Sequence, residues 1–283
     1  MDRKDFLRVA GLGVLAGCAR GDAPAAGDGG RAGLEPPLDV IGVQLYTVRA
    51  LMSEDVAGTL DAVAAIGYRE VEFAGYFGHS PNEVRQWLDA AGLTSPATHV
   101  GIPELTGTGL EASMETAHTL GQRWLVLPSL PGDMQTADGY REAAEILNTA
   151  GAAAGEADLR IGYHNHAFEF DTVGEDGETG YDLLLQHLDP SLVDLEIDFH
   201  WTAAGGVDSA ALLRDNPGRF PLCHLKDMST DGRMADVGAG VIDWAAIFAL
   251  SETAGLRHYF VEHDQPADPL ASIEASYRYL SAS

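Results

Sequence analysis

Short apolar runs alternate with amphipathic helical patterns along most of the chain. The runs predict strands over 40–47, 69–73, 94–99, 123–127, from 159 onward, and over 193–199, 220–225 and 258–262. Between them, apolar residues recur at helical spacing. They predict helices over 54–66, 81–91, 110–120, 138–155, 179–188, 209–214, 242–254 and 268–279. The punctuation agrees: Ser53 is expected to cap the first helix and Gly67 to stop it, while Ser80 followed by Pro81 opens the second and Gly92 closes it. Strict alternation of eight strand–helix units predicts an α/β fold, a closed (β/α)8 TIM barrel, over 38–283. An open doubly wound sheet is the alternative. It usually places a glycine-rich phosphate turn after its first strand, and here that turn reads Gln44-Leu45-Tyr46-Thr47-Val48-Arg49.

Polar residues gather where these strands end. In 160–170, RIGYHNHAFEF, alternation along the strand points His164 and His166 the same way. The first strand ends in Gln44 and Tyr46, the second in Glu72, the third in His99. The fifth gives His164, His166 and, just beyond, Glu169. The sixth gives Glu196 and Asp198, then His200 and Trp201. The seventh gives His224, Lys226 and Asp227, and the eighth Glu262, His263 and Asp264. Catalytic groups of such a barrel lie at these C-terminal strand ends. Imidazole and carboxylate from four adjacent strands have the composition of a divalent-metal site, which suits Mn, Co, Fe or Zn better than Ca or Mg. Each residue also has a structural role open to it. Asp198 would cap the following helix, Glu262 would pair with Lys226, and His224 would donate to a backbone carbonyl. That all of them end consecutive strands favours the metal.

The segments VIGVQLYTVR, GYREVEFAGY, YHNHAFEF, LEIDFHW, CHLKDM, DVGAGVIDW and YFVEHD together resemble the xylose isomerase-like TIM barrel family, often labelled sugar phosphate isomerase/epimerase. The resemblance covers about 38–280. It implies one divalent ion (Mn, Co, Fe, Zn or Mg) held by His164, Asp198, His224 and Glu262. It also implies that Trp201 faces the substrate and that Lys226 matches the lysine after the strand-seven histidine of relatives. Better-known epimerases carry a glutamate where this chain has His164, and use it with the strand-eight glutamate as an acid/base pair. Of that pair only Glu262 stands here, so His166 or Glu169 becomes the missing ligand or base. The expected site is therefore Glu262, His166 and Lys226 for catalysis, the four metal ligands, and Gln44, Tyr46, Glu72, His99, Glu169 and Trp201 around the substrate.

Such a site acidifies a C–H beside a carbonyl by stabilising an enediolate, and a nearby base then takes the proton. The proton's destination distinguishes epimerisation, isomerisation and β-elimination, so the residues predict the first step better than the product. A sugar isomerase or epimerase is the first expectation. A lyase or hydrolase acting on a 3-keto-sugar or keto-glycoside is the second, and a non-catalytic sugar-binding lipoprotein the third.

Composition narrows the partners. The chain has 283 residues, 46% hydrophobic, with a formal net charge of −26. That surface repels phosphate backbones, which disfavours nucleic acid and the family's DNA-repair chemistry, and it disfavours docking on anionic lipid. A neutral carbohydrate meets no such barrier. At the N-terminus, Arg3, Lys4 and Arg8 precede an apolar run, Val9 to Gly17, too short to span a bilayer. Leu15-Ala16-Gly17-Cys18 matches a bacterial lipobox, and Arg3-Lys4-Asp5-Phe6-Leu7 resembles a twin-arginine (Tat) signal with Lys for the second Arg. Residues 1–17 are thus expected to be a signal peptide, and 18–37 a lipidated Cys18 with a flexible Ala/Gly/Pro tether. An exported lipoprotein follows, touching a membrane only through its lipid. With only Cys18 and Cys223 in the chain, an acylated Cys18 leaves no disulfide.

Overall fold

Eight of the apolar runs pair side by side as parallel strands because each buries side chains on both faces, toward the helices outside and the lumen inside. In the computed structural model, which describes residues 38, 40–174 and 177–282, they are β1 (Gly42–Gln44), β2 (Glu70–Phe73), β3 (Thr94–His99), β4 (Trp124–Leu127), β5 (Arg160–His164), β6 (Val193–Asp198), β7 (Leu222–Leu225) and β10 (His258–Val261). They close in sequence order, β10 pairing β1 through Gly42↔Phe260 and Val43↔Val261. The barrel expected from the alternation is the one observed. The expected signal segment, Cys18 and the tether lie outside the described residues.

The loop after β7 folds as a hairpin, β8 (Asp227–Met228) with β9 (Met234–Ala235). Asp227 organises it. Its buried carboxylate accepts from the backbone N–H of Met228 (2.8 Å), Gly238 (2.9 Å), Gly240 (3.2 Å) and Ile242 (3.2 Å), and from Trp244 Nε1 (2.9 Å). Five donors on one carboxylate hold rigid the segment directly beyond Lys226.

The bottom of the barrel lumen is apolar: Ala97, Trp124, Val126, Leu222 and Phe260 form a plug separate from the main core between strands and helices. Gly42 makes room for it, since a Cβ there would lie 2.5 Å from the Phe260 ring. One or two residues further along the same strands the lumen turns polar, and the site begins.

Several predicted boundaries moved. The first strand ends at Gln44 because its side-chain oxygen accepts from Tyr46 N (3.0 Å) and turns the chain into a 3-10 helix, Leu45–Val48. The predicted helix over 54–66 is two helices, Arg49–Glu54 and Val56–Ile66. Asp55, not Ser53, caps the second, with Oδ1 accepting from Gly58 N (3.0 Å), while Ser53 Oγ donates back to Ala50 O (2.7 Å). The predicted helix over 242–254 divides into Trp244–Phe248 and Ser251–Ala254. An additional short helix, Phe199–Ala204, follows the sixth strand, and Asp198 caps it as its residue type allows. Ser80 and Glu83 form the capping box that opens Pro81–Ala91. No helix among the described residues is long and apolar enough to cross a membrane.

Candidate metal centre

Strand register stacks the polar side chains in two layers. Asp198 sits opposite His224 across β6 and β7, and His164 opposite Glu196 across β5 and β6. The alternation that turns Asp198 into the lumen therefore turns Glu196 in as well, one pleat deeper.

The upper layer joins four strand ends. His224 Nδ1 lies 2.9 Å from Glu262 Oε2 and 3.9 Å from Asp198 Oδ2, and His164 Nε2 lies 3.8 Å from the same Asp198 oxygen. Asp198, His224 and Glu262 each offer a ligand atom within 4.8 Å of the others, all three buried. Lys226 Nζ stands over them, 3.0 Å from Asp198 Oδ2, 2.7 Å from Glu262 Oε2 and 2.8 Å from Asp264 Oδ1. Asp198 is held from behind: its Oδ1 accepts from Trp201 N (2.9 Å), and its own N donates to Asn165 Oδ1 (3.1 Å). Asp198 thus caps a helix and aims its other oxygen at the site, so the structural and the functional roles coexist.

The lower layer is Gln44, Glu72, His99 and Glu196. Gln44 Nε2 donates to Glu72 Oε2 (2.8 Å), which also lies 2.7 Å from His224 Nε2. Glu196 Oε2 lies 2.9 Å from His99 Nε2, 3.2 Å from His164 Nδ1 and 3.3 Å from His224 Nε2. His224 thus meets carboxylates at both nitrogens and not the backbone carbonyl of the structural alternative.

Charge is unevenly placed. Burial alone would push Glu262 up, but Lys226 and His224 outweigh it and hold the carboxyl well below the usual range. Burial would strip the proton from His224; Glu196 and Glu262 win and raise it well above an ordinary histidine. Asp198 is pushed up by burial to about 6, against the pull of Lys226 and His224. Lys226 is raised, because Asp198, Glu262 and Asp264 outweigh burial, and stays an ammonium. His166 is lowered to about 4 by burial and by Lys226, so at neutral pH it is an uncharged imidazole.

A cavity of about 650 Å³ opens above, in the range of ~300–1,000 Å³ typical of small-molecule sites. Of the expected residues it is lined by Tyr46, His99, His164, His166, Lys226 and Glu262. Gln44, Glu72, Asp198 and His224 are buried beneath its floor. Glu169 is fully buried, bonded to Tyr163 OH (2.7 Å) and His166 N (2.7 Å), and burial raises it to about 7; it braces the His166 turn instead of lining the cavity. Trp201 packs 5.3 Å from the His166 ring and 5.4 Å from Lys226 Nζ. Arg49, Tyr76, Glu104 and Gln265 also line the cavity. Tyr76 and Gln265 lie in loops, Arg49 opens the helix Arg49–Glu54 and Glu104 sits in a 3-10 helix, all beyond the strands, where no alternation marks which side chains turn inward. Glu196, a strand-end residue outside the expected site, joins it through His99 and His164.

The donor set fits a divalent transition metal. Two imidazoles and two carboxylates suit Zn, Co, Fe or Mn. Asp198 Oδ2, completely buried, has the Lys226 ammonium 3.0 Å away but no hydrogen bond of normal geometry, which leaves a lone pair for an ion on the side of His164 and His224.

Comparison with known proteins places the fold in a family. The model of the family described as Xylose isomerase-like TIM barrel matches residues 60–282. The sugar phosphate isomerase/epimerase of Parabacteroides distasonis ATCC 8503 is 26% identical, with a TM-score of 0.75 over 86% of this chain and 93% of that one. The inosose dehydratase of Clostridium tetani (strain Massachusetts / E88) is 30% identical over 96 residues, 34% of this chain and 31% of that protein, so the match spans about a third of that relative. A 3-keto-D-glucoside 4-epimerase from E. coli shares the fold at 18% identity, with a TM-score of 0.64 over 85% of this chain and 98% of that one.

Proposed function

The chain belongs to the xylose isomerase-like TIM barrel family, and we propose that it is a divalent-metal-dependent enzyme that moves a proton on the carbon beside a sugar carbonyl, as an isomerase or epimerase does. The observation that carries this is the convergence of Asp198, His224 and Glu262 within 4.8 Å at the mouth of the barrel, beneath a cavity lined by the neutral His166. His164, Asp198, His224 and Glu262 would hold the ion. When bound, the ion supplies Lewis-acid polarisation of a carbonyl, which makes the neighbouring C–H more acidic. His166 is the base: it lines the cavity and is uncharged at neutral pH. Glu262 is the weaker candidate, since its Oε2 already faces Lys226 and His224. Lys226 keeps a fixed positive charge at the cavity wall, where it would stabilise an oxyanion as it forms. Tyr46 at the rim offers a ring for the apolar face of a sugar.

A second outcome is β-elimination from a keto-glycoside. His164, standing where related epimerases carry a glutamate, favours it, because the symmetric carboxylate pair that returns a proton to the opposite face is not complete here. The E. coli keto-glucoside epimerase of the same fold makes oxidised glucosides a sensible substrate class to try.

Elemental analysis of purified protein should find one Mn, Co, Fe or Zn per chain. Screening free ketoses beside keto-glycosides should then find turnover that a chelator abolishes and that ion restores. Metal-free protein with full activity would refute the proposal.

We also propose that the protein is exported and lipid-anchored at Cys18, from the lipobox Leu15-Ala16-Gly17-Cys18. A radioactive fatty acid should label the wild type and not Cys18→Ser. Equal labelling and membrane association of the two would end the idea.

A further inference from the structure

Beneath the proposed ligands lies a layer that proton transfer does not use: two fully buried glutamates, Glu72 and Glu196, each with its Oε2 against histidines and its Oε1 without any partner. We propose that Glu72 and Glu196 are positioning residues that hold His224 and His164 in opposite tautomers, so that each ring presents a bare nitrogen to the metal. The inference rests on the metal-dependent function proposed above.

An ionised carboxylate only accepts hydrogen bonds, so a ring nitrogen against it carries the proton. His224 turns Nε2 down, 2.7 Å from Glu72 Oε2, and Nδ1 up, toward Glu262 and Asp198. His164 is reversed: Nδ1 turns down, 3.2 Å from Glu196 Oε2, and Nε2 up, toward Asp198. With an ion bound, His224 would give up the proton that it holds at Nδ1 toward Glu262 (2.9 Å) and keep the one on Nε2, while His164 would keep its proton on Nδ1, so that Nδ1 of one ring and Nε2 of the other face the metal beside Asp198. Each glutamate is itself fixed, Glu72 by Gln44 Nε2 at 2.8 Å and Glu196 by His99 Nε2 at 2.9 Å. Strand register enforces the arrangement, because Glu196 lies beside His164 on β5 and one pleat below Asp198, which faces His224. A carboxylate behind a ligating imidazole orients the ring and makes its free nitrogen more basic.

The deep atoms of His99, His164, Glu196 and His224 also lie within 4.8 Å of one another, and a cation seated there would be the rival arrangement. It would use the opposite nitrogens of His164 and His224 and so take both rings away from Asp198.

The experiment uses the full chain loaded with Zn or Co. Glu72→Gln and Glu196→Gln keep size and shape and remove only the charge. Each is expected to weaken metal affinity, read by competition with a chelator, by about 10–100-fold with little change in melting temperature. Glu70→Gln is the control: Glu70 is bonded to His258 (2.8 Å), at the other end of the strands, and its loss should leave affinity unchanged. NMR of the zinc protein with ¹⁵N-labelled histidine should show one ligating ring protonated at Nε2 and another at Nδ1. Affinities within twofold of wild type in both glutamine variants, or two ligating rings of the same tautomer, would overturn this inference and leave the metal site standing. So would a second ion per chain lost on Glu196→Gln, which would place a cation in the deep layer. A wild type that takes up no ion sinks the metal site and this inference together.

Discussion

His224→Ala is expected to lower bound metal well below one ion per chain and to reduce the melting temperature of the metal-free protein by about 10 °C. His224 touches both polar layers, 2.7 Å from Glu72, 3.3 Å from Glu196 and 2.9 Å from Glu262. Its positive charge is what those buried carboxylates share when no ion is bound. Removing one partner of a buried pair typically costs about 3–5 kcal/mol, because the other charge stays buried without compensation. In a chain of this size each kcal/mol is worth roughly 2–4 °C. His99→Ala makes the contrast. That ring bonds Glu196 at 2.9 Å and is not a proposed ligand, so its loss should leave metal content near wild type. Elemental analysis and calorimetry on the same samples separate the two effects. Unchanged metal content in His224→Ala would remove this layer as the metal centre, whatever the melting temperature does.

What could be read from the chain was what alternation and punctuation encode. Period 2 placed His164, Asp198, His224 and Glu262 at the same end of neighbouring strands. The barrel then followed from the regular succession of strand and helix. Competition between caps was not legible: Ser53 and Asp55 are both good cap residues, and only the extended backbone of Asp55 decided between them. Nor was depth. Gln44, Tyr46, Glu72 and His99 all end early strands. Yet Gln44 and Glu72 bond each other beneath the floor, while Tyr46 and His99 line the cavity. His99 stands in the same layer as Glu72, 3.4 Å from it, but keeps an edge open to the cavity, and Tyr46 has already left the strand for the 3-10 helix; no single strand reveals either. Glu169 shows the same limit, as it lies within six residues of two site histidines but turns back to Tyr163.

These depths bear on what the site does to charge. Lys226 is surrounded by Asp198, Glu262 and Asp264, so it can be neither a base nor a freely titrating acid. Glu262, which it holds ionised together with His224, is a poor proton acceptor while it stays. Among the groups that line the cavity, this favours His166 over Glu262 as the base.

His166→Gln is accordingly expected to slow exchange of the substrate C–H beside the carbonyl by about 10²–10⁴-fold, the usual contribution of a general base, while leaving metal content unchanged. His166 sits on the cavity wall, its ring stacked 5.6 Å from Phe168 and its backbone N pinned to Glu169 at 2.7 Å, so glutamine should enter without moving the turn. Glu262→Gln provides the discriminating comparison. If Glu262 serves as ligand and partner of Lys226, its loss lowers exchange together with metal content, and the two fall in proportion. In deuterated water, substrate recovered from wild-type enzyme should carry solvent deuterium at that carbon, and substrate deuterated there should react more slowly when proton removal limits the rate. Wild-type rates of exchange in His166→Gln, with exchange lost in a Glu262→Gln protein that keeps its metal, would transfer the base to Glu262. Product that retains its original hydrogen through repeated reversals would exclude proton abstraction beside the carbonyl, and would turn attention to direct hydrolysis at the same centre.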